Sequence, residues 1–100
     1  MPVTRSEASV EKEIVAFFDK LPQCHGCKPH GDIYSVNRPD RIYCIQGRTV
    51  VIEVKRPGAK PRPGQIAELR KWHNAGALAM WASDLGKVKA KLREAGLIAY

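Results

Sequence analysis

The sequence has no apolar run approaching the roughly 20 residues that a membrane-crossing helix needs. Its opening, MPVTRSEASVEKE, is polar and lacks the apolar centre of a secretory leader. A membrane partner is therefore not expected, and the expected location is the cytoplasm. Cysteine is scarce and odd in number, three in 100 residues, which speaks against a disulfide framework. No segment repeats, and no low-complexity stretch or linker divides the chain. Residues 1–100 thus read as one domain, with 1–5 expected to be loose. Acidic residues are the remaining shortage. Ten Asp and Glu face 17 Lys and Arg, a formal net charge of +7. A small domain with that excess favours a polyanionic partner, most often nucleic acid.

What is present is ordinary for a soluble globular protein, with 44% apolar and 27% charged residues. The basic excess is concentrated. Between Lys28 and Arg62 there are eight basic residues and only three acids, Asp32, Asp40 and Glu53. From Ser6, the residues Val10, Ile14, Phe17, Phe18 and Leu21 fall on one stripe at helical spacing, and Pro22 is expected to end that helix. Residues 23–40 predict one short strand and a loop. Residues 41–45 and 49–55 read as two strands joined through Gln46-Gly47-Arg48, with Gly47 suited to a tight hairpin. After a basic loop, Pro63 opens a helix carrying Ile66, Leu69, Trp72 and Ala75, which Gly76 terminates. Residues 78–82 form a short buried strand. Ser83 is expected to cap a last helix that Gly96 closes. The expected fold class is α/β, a small mixed sheet flanked by helices in the order α-β-β-β-α-β-α.

The strand at 49–55 raises a chemical question. Side chains alternate along a strand, so Val50, Ile52 and Val54 supply the core and Val51, Glu53 and Lys55 face the other way. Glu53 and Lys55 are then neighbours on one face. An exposed, weakly paired face is the ordinary explanation. This strand, however, reads as central and covered on both sides, and a covered charge must be paired or bind a metal. A hairpin through Gly47 brings Asp40, fixed by Pro39, alongside Glu53. Two adjacent carboxylates repel unless a cation sits between them. Oxygen ligands with open water positions suit Mg²⁺ or Mn²⁺. Such an ion acidifies a bound water and neutralises charge on a scissile phosphate. Lys55 would orient the water or stabilise the transition state.

These residues resemble the PD-(D/E)XK nuclease signature, here Pro39-Asp40 followed by Glu53-Val54-Lys55. The continuation EVKRPGAKPRPGQ and the segment NAGALAMWAS more narrowly resemble the VRR-NUC branch, from about residue 10 to 97. Asn37 stands where that branch usually carries a glycine. The resemblance implies a restriction-endonuclease-like core and DNA phosphodiester cleavage. It also implies a metal set of Asp40, Glu53 and the Val54 backbone carbonyl, completed by a helix glutamate. VEKEIV is similar to the opening of archaeal Holliday-junction resolvases, which assigns that glutamate to Glu11 and leaves Glu13 in reserve. Gln65 takes a supporting catalytic position. Without the resemblance, either glutamate would read as an exposed helix residue, and Gln65 as a buried, hydrogen-bonded one.

Lys28, Arg41, Arg56, Lys60 and Arg62 are the expected DNA contacts. No recognition helix or zinc finger is present, so selectivity for branched DNA such as Holliday junctions is expected over sequence reading. Symmetric cutting of a junction needs two sites, hence an expected homodimer. Cys24, His25, Cys27, His30 and Cys44 include a Cys-x-x-Cys zinc spacing, but no second matched pair. The competing expectation is a non-catalytic basic nucleic-acid-binding module, with or without structural zinc. A nicking or sequence-specific endonuclease on the same scaffold is a third.

Overall fold

The computed structural model describes residues 5–29 and 36–99. Among these, three helices and four strands run in the order α1 (Glu7–Asp19), β1 (Cys24–Cys27), β2 (Arg41–Ile45), β3 (Arg48–Val54), α2 (Pro63–Asn74), β4 (Leu78–Ala82) and α3 (Leu85–Glu94). This is the α/β order expected from the sequence. No helix among the described residues is long and apolar enough to cross a membrane.

The strands form one sheet in the order β1-β2-β3-β4. The first three pair antiparallel, and β4 joins β3 in parallel. The parallel join follows from chain length. A parallel neighbour needs a crossover of a dozen or more residues, and α2 provides it. The β2–β3 connection is instead a tight turn at Gln46-Gly47. Both turn residues have positive φ, 49° and 86°, the geometry that matches strand twist in a two-residue hairpin. Glycine adopts it freely, and Gln46 carries the strain.

Strand β3 is internal and explains the layering. Val50, Ile52 and Val54 face a core shared with Val10, Ile14 and Phe18 of α1, Met80 and Ala82 of β4, and Val88 and Leu92 of α3. On this face Phe18 stacks on Tyr43 with centroids 4.0 Å apart, and burial pushes the Tyr43 hydroxyl up to about 12. Val51 and Glu53 face the opposite layer, where α2 contributes buried Gln65 and Leu69. The central strand is therefore covered on both sides.

Three boundaries differ from the sequence reading. Strand β3 runs Arg48–Val54 rather than 49–55, because the hairpin turn takes only Gln46 and Gly47. Helix α1 ends at Asp19 with Lys20 as its cap, before Pro22, because the chain must turn to start β1. The α3 cap is Asp84, not Ser83. Its side chain accepts from the Lys87 amide at 2.7 Å, the geometry of a residue directly preceding the first helical turn.

Candidate metal centre and basic cleft

The hairpin register pairs Arg41 with Ile52, and one residue further out it sets Asp40 beside Glu53. Asp40 is anchored there because its Oδ2 accepts from the Val54 amide at 2.7 Å. Glu53 is 3% exposed, a charged residue in the covered interior. Its Oε1 accepts from Gln65 Nε2 at 3.0 Å and lies 3.7 Å from Lys55 Nζ. Gln65 is itself held, since its Oε1 accepts from the Arg62 amide at 2.9 Å. That bond closes the first turn of α2, so one side chain both caps the helix and orients Glu53.

The group is electrostatically loaded. Burial first, then the Asp40 charge and a hydrogen bond to Asp40, push Glu53 up to about 8, with Lys55 partly opposing. Burial and the neighbouring Asp40 charge thus favour the protonated form of Glu53. Adjacent carboxylates behave this way when no cation separates them. A third carboxylate closes the group. Oxygens of Glu7, Asp40 and Glu53 lie within 4.8 Å of one another. Oxygen donors of this number and charge fit a hard divalent ion.

Glu11, the helix ligand expected from the resemblance, is elsewhere. Its Oε2 lies 3.6 Å from Lys28 Nζ and 3.8 Å from Arg41 Nε. Glu13, the reserve, pairs with Arg5 at 2.8 Å. The physical reason is axial position. Glu7 and Glu11 share a helix face, being four residues apart, but about 6 Å separates them along the axis. Only the first turn of α1 overhangs the Asp40–Glu53 end of the sheet. The sequence carried a signal for Glu7, which precedes Val10 by three residues and Ile14 by seven, the spacing of the buried stripe. Ser6 caps that turn, its Oγ accepting from the Ser9 amide at 3.1 Å, and an acid there also suits the helix dipole.

The expected DNA contacts fall in two places. Arg41 lies under α1 with Lys28 beside it, in a cleft also lined by Ala8, Glu11, Lys12 and Val15. Arg56, Lys60 and Arg62 are all exposed along the loop that leaves Lys55, whereas Pro57, Ala59 and Pro61 between them are half-buried. The loop bends at Gly58, where φ is 88°. Arg62 also reaches the Val36 carbonyl at 3.5 Å. Asn37 packs against Gly64, where a Cβ would lie 2.6 Å from the Asn37 amide nitrogen. The Asn37 turn is thereby docked on the start of α2.

Among the described residues the cysteines belong to no metal-capable group. Cys24, Cys27 and Cys44 are free thiols, and Glu7, Asp40 and Glu53 are the one metal-capable group found among the described residues. His25 lies opposite Cys44 across β1–β2, and His30 lies outside the described residues. Trp72 and Trp81 are both half-buried. No family model matches the chain, and no curated protein matches it.

Proposed function

We propose that the protein is a metal-dependent endonuclease of the PD-(D/E)XK type that hydrolyses DNA phosphodiesters. The observation that carries this reading is the convergence of Glu7, Asp40 and Glu53 within 4.8 Å, beside Lys55 and at the mouth of a basic loop. Glu7, Asp40 and Glu53 would hold Mg²⁺ or Mn²⁺, with the Val54 carbonyl as a further oxygen donor. When bound, the ion supplies an acidified water and neutralises charge on the scissile phosphate.

The chain's own groups have separable tasks. Lys55 is 14% exposed at its side chain, so its ammonium is confined near the reacting position. There it orients the attacking water and offsets charge developing on phosphorus-bound oxygen. Gln65 fixes the rotamer of Glu53. Asp40, anchored on the Val54 amide, keeps the two sheet carboxylates in register. Arg56, Lys60 and Arg62 supply phosphate contacts on one side of the centre, Lys28 and Arg41 on the other. These contacts hold DNA without reading bases. With no base-reading element among the described residues, selectivity rests on DNA shape, and branched junctions are the proposed substrate. Paired incisions at a junction require two copies, so the proposed working form is a two-fold dimer.

Cleavage of labelled junction, flap and linear DNA with Mg²⁺ or Mn²⁺ tests the reading. Junction cleavage that disappears in Asp40→Asn and in EDTA is expected. Full cleavage by Asp40→Asn would rule the centre out. Sedimentation of the protein alone and with junction DNA tests the dimer.

A further inference from the structure

We propose that the cleft between α1 and the start of β2 seats the phosphodiester next to the one being cut, and that Glu11 is an internal carboxylate which this phosphate displaces. The assignment rests on the nuclease reading above. It gives Glu11 a role opposite to that of a metal ligand.

Three features of the cleft carry it. The first is the sign of its charge. Among the described residues Lys12, Lys28 and Arg41 line it with Glu11 as the single acid, so it attracts an anion where the neighbouring centre attracts a cation. The second is an unmet donor. Arg41 Nε is buried and has no hydrogen-bond partner among the described residues, although buried guanidinium groups normally find acceptors. Its nearest carboxylate oxygen, Glu11 Oε2, is 3.8 Å away, beyond hydrogen-bond length. The third is sharing. Lys28, at 3.6 Å, approaches that same Oε2 atom. Two cations thus divide one oxygen at long range. A phosphodiester presents two unesterified oxygens and serves an arginine and a lysine at once.

The cleft also lies in the right place. Glu11 follows Glu7 by one helical turn, about 6 Å along α1, and Arg41 directly follows Asp40. One turn of α1 therefore spans centre and cleft, a displacement on the scale of successive phosphates in one strand, while Arg41, turned away from Asp40 by strand alternation, reaches the cleft from the α1 face of the sheet. The cleft volume of about 360 Å³ admits a phosphate with part of its sugar. Lys28 is 61% exposed at its side chain, free to swing from Glu11 to an entering group.

The test uses the full chain and a fluorescein-labelled four-way junction, with polarisation in EDTA and cleavage in Mg²⁺. Glu11→Gln removes the competing carboxylate. Binding then tightens about fivefold, and the slope of log K against log salt steepens by roughly 0.7 to 0.9, the value of one more phosphate contact. Adding Lys28→Gln cancels the gain. A single uncharged methylphosphonate placed next to the cut lowers kcat/KM of the wild type about tenfold, as expected for one lost charged contact, and has no such effect in Arg41→Gln. Lys28→Gln serves the same comparison if Arg41→Gln fails to fold.

Unchanged or weaker binding by Glu11→Gln, with an unchanged salt slope, would make Glu11 a structural tie and overturn the proposal. Normal binding with abolished cleavage would return Glu11 to the metal and overturn it equally. If wild type cuts, Asp40→Asn does not, and Glu11→Gln shows no gain, only the cleft assignment falls. If no DNA is cut under any divalent ion, the nuclease reading falls and takes the cleft with it.

Discussion

Two charged sites share one end of the sheet and differ in which sign is in excess. On the α2 side, Asp40 and Glu53, joined by Glu7 from above, outnumber the single ammonium of Lys55. On the α1 side, Lys12, Lys28 and Arg41 outnumber Glu11. The first site is frustrated as it stands, because burial and the Asp40 charge push Glu53 up to about 8. The second is frustrated too, because Arg41 Nε is buried without an acceptor among the described residues. Each lacks the charge that the other has in surplus, yet the covalent frame keeps them a helical turn apart. The unspent electrostatics of one invites a cation, those of the other a phosphate. Under the nuclease reading proposed above, the first would take the metal ion and the second a phosphate of the same strand.

Breaking the acidic site should have the largest consequence. Asp40→Asn removes one ligand charge and is expected to reduce Mg²⁺-dependent junction cleavage on the order of 10³-fold, with the fold retained by circular dichroism. Lys55→Ala leaves the carboxylates in place and should lower kcat about 10²-fold with little change in DNA affinity, as single-turnover assays would resolve.

Third in size is a stability effect. Glu53 has its folded pKa raised to about 8, against roughly 4.3 in an unfolded chain. The folded state therefore binds the extra proton between those values, and metal-free stability falls as pH rises through that window. Its full advantage is present below the unfolded value and is gone above the folded one. Urea unfolding from pH 4 to pH 9 should show a decline of roughly 2–4 kcal/mol that Glu53→Gln largely removes. A flat wild-type profile would mean that Glu53 is ionised in place. Saturating Mg²⁺ should flatten the profile, since the ion replaces the proton.

The smallest effect sharpens the comparison most. Glu7→Gln should weaken Mg²⁺ binding about tenfold by calorimetry, because ligand charge count sets affinity, whereas Glu13→Gln should leave it unaltered. Equal losses in both would dissolve the distinction between the overhanging turn of α1 and the rest of it.

Much of this was legible beforehand where the chain is local. The period-2 alternation of Val50, Ile52 and Val54 against Val51 and Glu53 identified the two-sided strand. Gly47 fixed the hairpin, and leg length then brought Asp40 to Glu53. Gln65, four residues before Leu69, falls on the same buried face of α2. The helix glutamate was not legible in the same way. Glu7 and Glu11 satisfy the same periodicity, and only the height of α1 above the sheet separates them. The choice of Glu11 followed a resemblance in VEKEIV rather than any local physical cue. The Cys-x-x-Cys spacing lies on β1, where alternation turns Cys24 and Cys27 to opposite faces, and no metal-capable group among the described residues includes either.

The residues alone determined the order of elements, the basic excess, and the pairing of Asp40 with Glu53, because strand alternation and a two-residue turn act over short stretches of chain. Which helix acid joins that pair, and which is held among Arg41 and Lys28, was decided only when α1 docked on the sheet. Docking sets axial height through burial of Val10, Ile14 and Phe18. A shift of one turn would exchange the neighbours of Glu7 and Glu11, and sequence periodicity alone cannot distinguish the two registers.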